Sequence, residues 1–347
     1  MTEARPIVEV RDLTMRFERV KGIRRKVVAE VRAVDGVSFT LYEGETLALV
    51  GESGSGKTTT GRCIVRALEP SGGSVFFDDE GKMVDILTLS RDDLNRVRRK
   101  IRMVFQDPFA SLNPRMTVEQ LVAEPLYINK IVTTRTQARE RVAALLEMVH
   151  LDPGLMGRYP HTFSGGQRQR IAIARALALE PRVVIADECV SALDVSIQAQ
   201  ILNLIKELQH ERNLAFLFIA HDLAVVRYQS DRIAIMYLGR IVELSSRDVI
   251  FANPAHPYTQ LLLQSAPIPD PRVKRPSAEL TGEVPDPADR PSGCAFNTRC
   301  RHAQQICRDE VPPLVEIATP ESSHLVACHL HESISADQIP SRQRSKT

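Results

Sequence analysis

Apolar positions along the chain follow three kinds of pattern. Short alternating segments, Ile7 to Val10 and Val37 to Leu41, suit an antiparallel β element in the first third. Thr46-Leu47-Ala48-Leu49-Val50 is instead an almost unbroken apolar run that ends on glycine, and Val183 to Ala186 and Leu214 to Ala220 repeat the type. Runs without alternation predict strands buried on both faces, as in a parallel sheet covered by helices. The third pattern has helical spacing. Ala138, Val142, Leu145, Leu146 and Val149 share one face of a helix predicted over Thr136 to Leu151, and Ile197, Ile201, Leu204, Ile205 and Leu208 mark another. A core-facing stripe accounts for both. The sum is a doubly wound α/β core carrying a helical insertion.

The pattern changes near the end of the chain. Between Ser265 and Gly293 stand Pro267, Pro269, Pro271, Pro276, Pro285, Pro287 and Pro291, which predict an extended connector. The last stretch, Ser341 to Thr347, is polar and reads as a disordered tail. At 347 residues the chain exceeds one usual domain, so a large unit with a smaller appendage is expected. The divisions fall at 1–260, 261–335 and 336–347.

Composition removes some classes of function. Aromatic residues make up 5% with no Trp, which argues against an aromatic-rich binding platform, and 45 basic against 43 acidic residues leave no field for nucleic acid. The longest apolar stretches are too short or too interrupted to span a bilayer, and the N-terminus lacks a charged-then-apolar signal pattern. A cytosolic protein, or one peripheral on the cytosolic face of a membrane, is expected.

Chemistry enters at Gly51-Glu52-Ser53-Gly54-Ser55-Gly56-Lys57-Thr58, which fits the phosphate-loop pattern G-x-x-x-x-G-K-[ST] directly after a buried strand. The glycines let successive N–H groups point inward at phosphate, and the following helix adds its positive end. Lys57 is placed to reach the β- and γ-phosphates, and Thr58 to ligate Mg²⁺ with Thr59 beside it. The second half is Val183-Val184-Ile185-Ala186-Asp187-Glu188. Its strand delivers Asp187 to the metal shell and Glu188 to polarise the attacking water. An acidic strand end that merely caps a helix is the alternative.

Phe163-Ser164-Gly165-Gly166-Gln167-Arg168-Gln169 resembles the signature sequence of ABC ATPases, with Phe where Leu is commoner. That resemblance implies a P-loop (RecA-like) ABC nucleotide-binding domain, with a helical subdomain at about 107–163. It also implies that Ser164, Gly165, Gly166 and Gln167 act on ATP held by a partner subunit in a head-to-tail dimer. The other landmarks follow in the family's order. Gln106 resembles the Q-loop, Ser191-Ala192-Leu193-Asp194 the D-loop and His221 the switch histidine. Phe17 stands where the family stacks an aromatic on adenine, with core packing as the alternative. Many members have Pro after the catalytic Glu, whereas this chain has Cys189, which keeps the spacing.

Longer segments resemble the ATPases of oligopeptide, dipeptide and nickel importers. They are the basic insertion Arg19 to Lys26, Gln106 to Pro114, Ser191 to Gln200 and His256-Pro257-Tyr258-Thr259. The resemblance implies an F-type subunit pairing with a D-type one, two membrane permeases and an extracytoplasmic peptide-binding protein. Nickel or oligosaccharide cargo, or a soluble ABC ATPase in DNA repair or translation, are the rival readings. The basic run Arg96, Arg98, Arg99, Lys100, Arg102 reads either as a solvated helix face or as a contact for lipid or a permease loop.

Four cysteines, Cys294, Cys300, Cys307 and Cys328, form the last candidate site. Structural zinc usually pairs cysteines two to four residues apart, a spacing absent here, while four thiolates on longer loops can hold a [4Fe–4S] cluster. Zinc with His302, His324 or His329, and no metal at all, stay as alternatives.

Overall fold

The computed structural model describes residues 5–21, 26–107, 111–265, 285–317 and 323–331. Gly22 to Arg25 of the basic insertion, Pro108 to Ala110, most of the proline-rich connector and the polar tail lie outside the described residues.

Two sheets make the frame. An antiparallel sheet of order β2-β1-β4-β5 holds β1 (Pro6–Lys21), β2 (Lys26–Tyr42), β4 (Gly72–Asp79) and β5 (Lys82–Asp85). The alternating segments predicted near the start are thus parts of longer strands. The larger sheet has the order β11-β12-β10-β9-β3-β8-β7-β6. Its parallel part is β9 (Arg232–Tyr237), β3 (Thr46–Val50), β8 (Ala215–Ala220), β7 (Val183–Asp187) and β6 (Ile101–Val104). β3, β7 and β8 are buried at every position, as their unbroken apolar runs require. Each buried Leu, Ile or Val contributes about 1.5–3 kcal/mol relative to exposure.

β10 (Arg240–Ser246) turns back antiparallel to β9, and the short strands β12 (His324–Val326) and β11 (Val315–Ile317) extend the same edge. Two strands of the C-terminal region thus extend the large sheet beyond β10.

Helices cover the sheet. They include α1 (Lys57–Ile64), α2 (Arg91–Lys100), α3 (Val118–Ile128), α4 (Arg135–Met148), α5 (Gly165–Leu177), α6 (Val195–Arg212), α7 (Leu223–Gln229), α8 (Arg247–Ala252), α9 (Pro257–Ser265) and α10 (Ile306–Asp309). Three of them start on one device: Thr117, Thr134 and Ser164 each form a reciprocal capping box with a glutamine three residues on. α4 ends at Met148 rather than Leu151 because His150 adopts φ 55°, a left-handed conformation that cannot continue the helix.

Two members of the basic run are engaged within the fold. Arg98 donates to the carbonyls of Val65 (3.1 Å) and Arg66 (2.7 Å) beyond the end of α1, and Lys100 pairs with Asp79 (2.7 Å) and Glu80 (2.7 Å). Neither of these side chains forms part of a free basic face.

Candidate ATP site

The parallel strands deliver the candidate residues at their C-terminal ends, where open α/β sheets place their ligands. β3 leads into the Gly51–Thr58 loop, β6 into Gln106, β7 into Asp187 and Glu188, and β8 into His221.

Two glycines show why the loop tolerates no side chain there. A Cβ on Gly51 would stand 2.1 Å from the Met236 carbonyl oxygen of β9, and one on Gly56 would stand 2.0 Å from that of Ala33. Gly56 also has φ 101°, a backbone region that L side chains avoid. The loop is therefore pressed against both sheets. Lys57 Nζ lies inside its curl, donating to the carbonyls of Gly51 (2.8 Å) and Glu52 (2.9 Å) and to Ser55 Oγ (3.4 Å). Burial pushes the Lys57 ammonium down in pKa, opposed by the charges of Glu188, Asp187 and Glu52.

Thr58 Oγ1 donates to Asp187 Oδ1 at 2.8 Å, so the two expected metal ligands share one place. Burial raises the Asp187 carboxyl, and the bond from Thr58 opposes it. Hard oxygen donors of this kind suit Mg²⁺.

Glu188 adopts φ 45°, and its N–H donates to the Ile219 carbonyl of β8 at 2.9 Å. Its side chain is held from both sides. Gln106 Nε2 donates to Oε2 at 2.8 Å, and His221 Nδ1 lies 3.3 Å from Oε1. Ser191 locks the turn that follows, giving its hydroxyl (2.9 Å) and its N–H (3.1 Å) to the Glu188 carbonyl. Cys189 is a buried packing residue whose thiol is pushed up to about 12 by burial.

Ser164, Gly165, Gly166 and Gln167 sit at the start of α5, apart from the loop. Ser164 N–H donates to Gln167 Oε1 (3.0 Å), and Gln167 N–H returns to Ser164 Oγ (3.3 Å). A Cβ on Gly165 would meet Leu193 at 3.2 Å and one on Gly166 would meet Ile197 at 2.3 Å, so this segment packs beside Ser191 to Asp194 and the start of α6. Among the described residues no hydrogen bond or ion pair links residues 164–167 to residues 51–59. Phe17 is 39% exposed on β1, so it serves no core packing.

Local sequence patterns missed a second layer that holds the loop from outside. The Tyr258 hydroxyl accepts the Glu52 N–H at 3.0 Å, and Arg299 donates to both Glu52 carboxylate oxygens at 2.9 and 3.1 Å. Tyr258 is fixed in turn. Its N–H donates to His256 Nδ1 (3.0 Å), and the His256 and Ala255 N–H groups donate to the buried carboxylate of Glu243 (2.9 and 2.8 Å). The signal for Tyr258 was the His256-Pro257-Tyr258-Thr259 segment; nothing local marked Arg299.

Burial pushes His256 down to about 4, with Glu243 opposing and His331 adding. A histidine kept neutral by folding contributes stability that is complete above its unfolded pKa, near 6.5, and is lost as pH falls toward its folded value. On the order of 3 kcal/mol is at stake between pH 6.5 and 4. The urea midpoint is expected to fall over that window, and a His256→Gln chain should show a flatter profile. Parallel profiles would rule His256 out as the titrating group.

The cysteine expectation needs correction. Burial raises the thiols of Cys294 and Cys300 and pushes Cys328 up to about 11. Neighbouring cysteines add to each shift, so the four lie in one region. Yet among the described residues no group of three or more His, Cys, Asp or Glu side chains is arranged to hold a metal ion. The histidines of the zinc alternative are bonded at Nε2, which leaves Nδ1 as the nitrogen a metal would take. His324 Nε2 is bonded to Glu243 Oε1 (2.7 Å), His329 Nε2 to the Glu310 carbonyl (3.0 Å) and His302 Nε2 to Arg301 (3.0 Å). Neither an iron–sulfur cluster nor zinc is supported by this geometry.

Comparison with known proteins agrees with the phosphate-site chemistry. The family described as ABC transporter matches residues 34–191, and the oligopeptide/dipeptide transporter C-terminal region matches residues 242–307. The oligopeptide transport ATP-binding protein AppF of Bacillus subtilis is 52% identical, over 94% of this chain and 97% of that protein. A probable peptide ABC transporter ATP-binding protein, y4tS of Sinorhizobium fredii, is 49% identical over 96% of this chain and 92% of its own length. Among solved structures, the dimeric ATP-binding cassette MJ0796 in a post-hydrolysis state with ADP and Pi is 30% identical. It aligns with a TM-score of 0.59 over 68% of this chain and 96% of that one. With both phosphate-loop halves on one sheet and relatives this similar along most of its length, the chain belongs to the ABC transporter ATP-binding family, in the branch carrying the oligopeptide/dipeptide transporter C-terminal region.

Proposed function

We propose that this chain is one of two related ATPase subunits that power a peptide importer from the cytoplasmic face of the cell membrane. The observation that carries the ATPase half is the clasped carboxylate. Glu188 lies between Gln106 and His221, one residue beyond an Asp187 already bonded to Thr58.

Glu188 takes up proton density from the attacking water, and the Gln106 amide and His221 ring keep its carboxylate aimed. Lys57 and the loop N–H groups bind the β- and γ-phosphates, with Gly51 to Thr59 forming the wall and Phe17 stacking on adenine. Thr58 and Asp187 would hold Mg²⁺, whose charge neutralises the phosphate oxygens. Ser164 to Gln167 serve ATP on the partner, because they lie apart from their own loop at a helix N-terminus. Ser191 to Asp194, packed beside them, extend toward that interface.

Peptide cargo is supported by the names of the relatives and by the matched C-terminal region. In this reading an ATP-binding unit runs to about residue 260, its helical part at 107–163 faces the permeases, and residues 261–335 form an appended region. The full assembly adds a D-type ATPase, two permeases and an extracytoplasmic peptide-binding protein. No helix among the described residues is long and apolar enough to cross a membrane, so the reading relies on docking to the permeases.

Purification from native membranes should recover the chain with two integral membrane proteins and a second ATPase. Vesicles carrying that complex should accumulate oligopeptide when ATP is supplied on the side facing this subunit. Accumulation of nickel or an oligosaccharide instead would move the cargo, and recovery of a soluble species without permeases would sink the transporter reading.

A further inference from the structure

Arg299 belongs to the C-terminal region, yet its partner is the second residue of the phosphate loop. Its side chain is 4% exposed and makes a two-pronged bond to the Glu52 carboxylate, at 2.9 Å to Oε2 and 3.1 Å to Oε1. The guanidinium carbon lies 5.8 Å from the Phe296 ring centroid and 5.9 Å from that of Tyr237, whose hydroxyl is 3.4 Å from Nη1. Tyr237, Tyr258 and Phe296 pack on one another with centroids 4.6 to 5.4 Å apart. That aromatic block fixes both contacts to Glu52: Tyr258 takes its N–H and Arg299 its carboxylate.

Glu52 is an awkward residue for a loop that binds a polyanion. Lys57 Nζ is bonded to the Glu52 carbonyl at 2.9 Å, so an unpaired carboxylate on that residue would stand in the loop meant to attract phosphates and would repel them. Arg299 matches the carboxylate in charge and in planar geometry.

We propose that Arg299 is a positioning residue for nucleotide binding: it neutralises and pins Glu52, so that the C-terminal region completes the phosphate loop. The role differs from that of a general stabilising contact, because what it suppresses is a specific repulsion between Glu52 and ATP. The inference rests on residues 51–58 being the ATP phosphate loop, and Lys57→Ala tests that reading separately. Lys57→Ala should lose Mg-ATP binding; if it binds normally, the loop reading itself fails.

Two readouts test the clamp: the Kd for Mg-ATP on the full chain, and KM with kcat in the assembled transporter. Arg299→Gln is expected to raise Kd and KM about tenfold while kcat stays within about twofold, since an unpaired charge acts on binding more than on chemistry. Arg299→Lys should recover part of the loss, as a point charge without the fork. The decisive variant is Glu52→Gln combined with Arg299→Gln, which removes the repulsion with its remedy and should return KM to within about threefold of the parent. An unchanged KM in Arg299→Gln, or a double variant no better than Arg299→Gln alone, overturns the proposal. If Arg299→Gln does not fold, Arg299→Lys with and without Glu52→Gln carries the same comparison.

Discussion

Glu188→Gln is expected to cut the ATPase rate of the assembled transporter by about 10²–10⁴-fold, the usual share of a positioned general base. ATP affinity should stay within about threefold, because the substitution preserves shape. The amide oxygen of the new side chain can still accept from Gln106 Nε2, now 2.8 Å from the carboxylate, and its NH₂ can face His221 Nδ1, now at 3.3 Å. The left-handed φ of 45° is set by the bonds to Ile219 and from Ser191, which do not involve the carboxylate. Only basicity is removed. Steady-state hydrolysis and equilibrium nucleotide binding, measured on the same preparation, separate the two effects. Turnover within threefold of the parent would take Glu188 out of the chemistry.

Glu243→Ala carries the largest expected cost in stability, about 3–5 kcal/mol. The carboxylate is fully buried in β10 and accepts from Ala255 N–H, His256 N–H and His324 Nε2, the last at 2.7 Å. Truncation leaves those groups in an apolar interior without an acceptor, and each orphaned donor costs about 1–3 kcal/mol. Glu243→Gln should cost less, since one acceptor oxygen survives. Burial raises this carboxyl, but the bonds from His324, Ala255 and His256 outweigh it and the pKa is lowered in the fold. Its contribution is therefore complete above the unfolded carboxyl value, about 4.3, and is lost as pH falls through the lower folded value. Urea unfolding at pH 7 and in acid checks both statements. A loss below 1 kcal/mol at pH 7 would show that the network is replaceable.

What could be read from the chain follows the range of the interactions concerned. β3, β7 and β8 are legible because burial on both faces writes itself into five or six consecutive residues. The loop from Gly51 to Thr58 is legible because backbone curvature demands glycine at fixed spacing. The union of the C-terminal region with the large sheet leaves no such mark, since β12 meets β10 through only two residue pairs. Arg299 and Glu52 stand 247 positions apart, and no local periodicity connects them. The cysteines mislead for a related reason. Spacing reports which thiols could converge, whereas holding a metal needs three or more ligating groups in one arrangement, which the described residues do not show.

The grip of Arg299 on Glu52 also has a consequence in time. Synthesis runs from the N-terminus at about 5–20 residues per second, so a ribosome needs roughly 10–50 s after making Glu52 to reach its guanidinium partner. Every residue assigned here to hydrolysis, from Gln106 to His221, has by then been made. A product cut short before Arg299 would hold the full set of reacting groups around a loop whose acidic member still repels fuel. Such a fragment is expected to bind ATP more weakly than a chain that includes the clamp, in the sense proposed for Arg299→Gln.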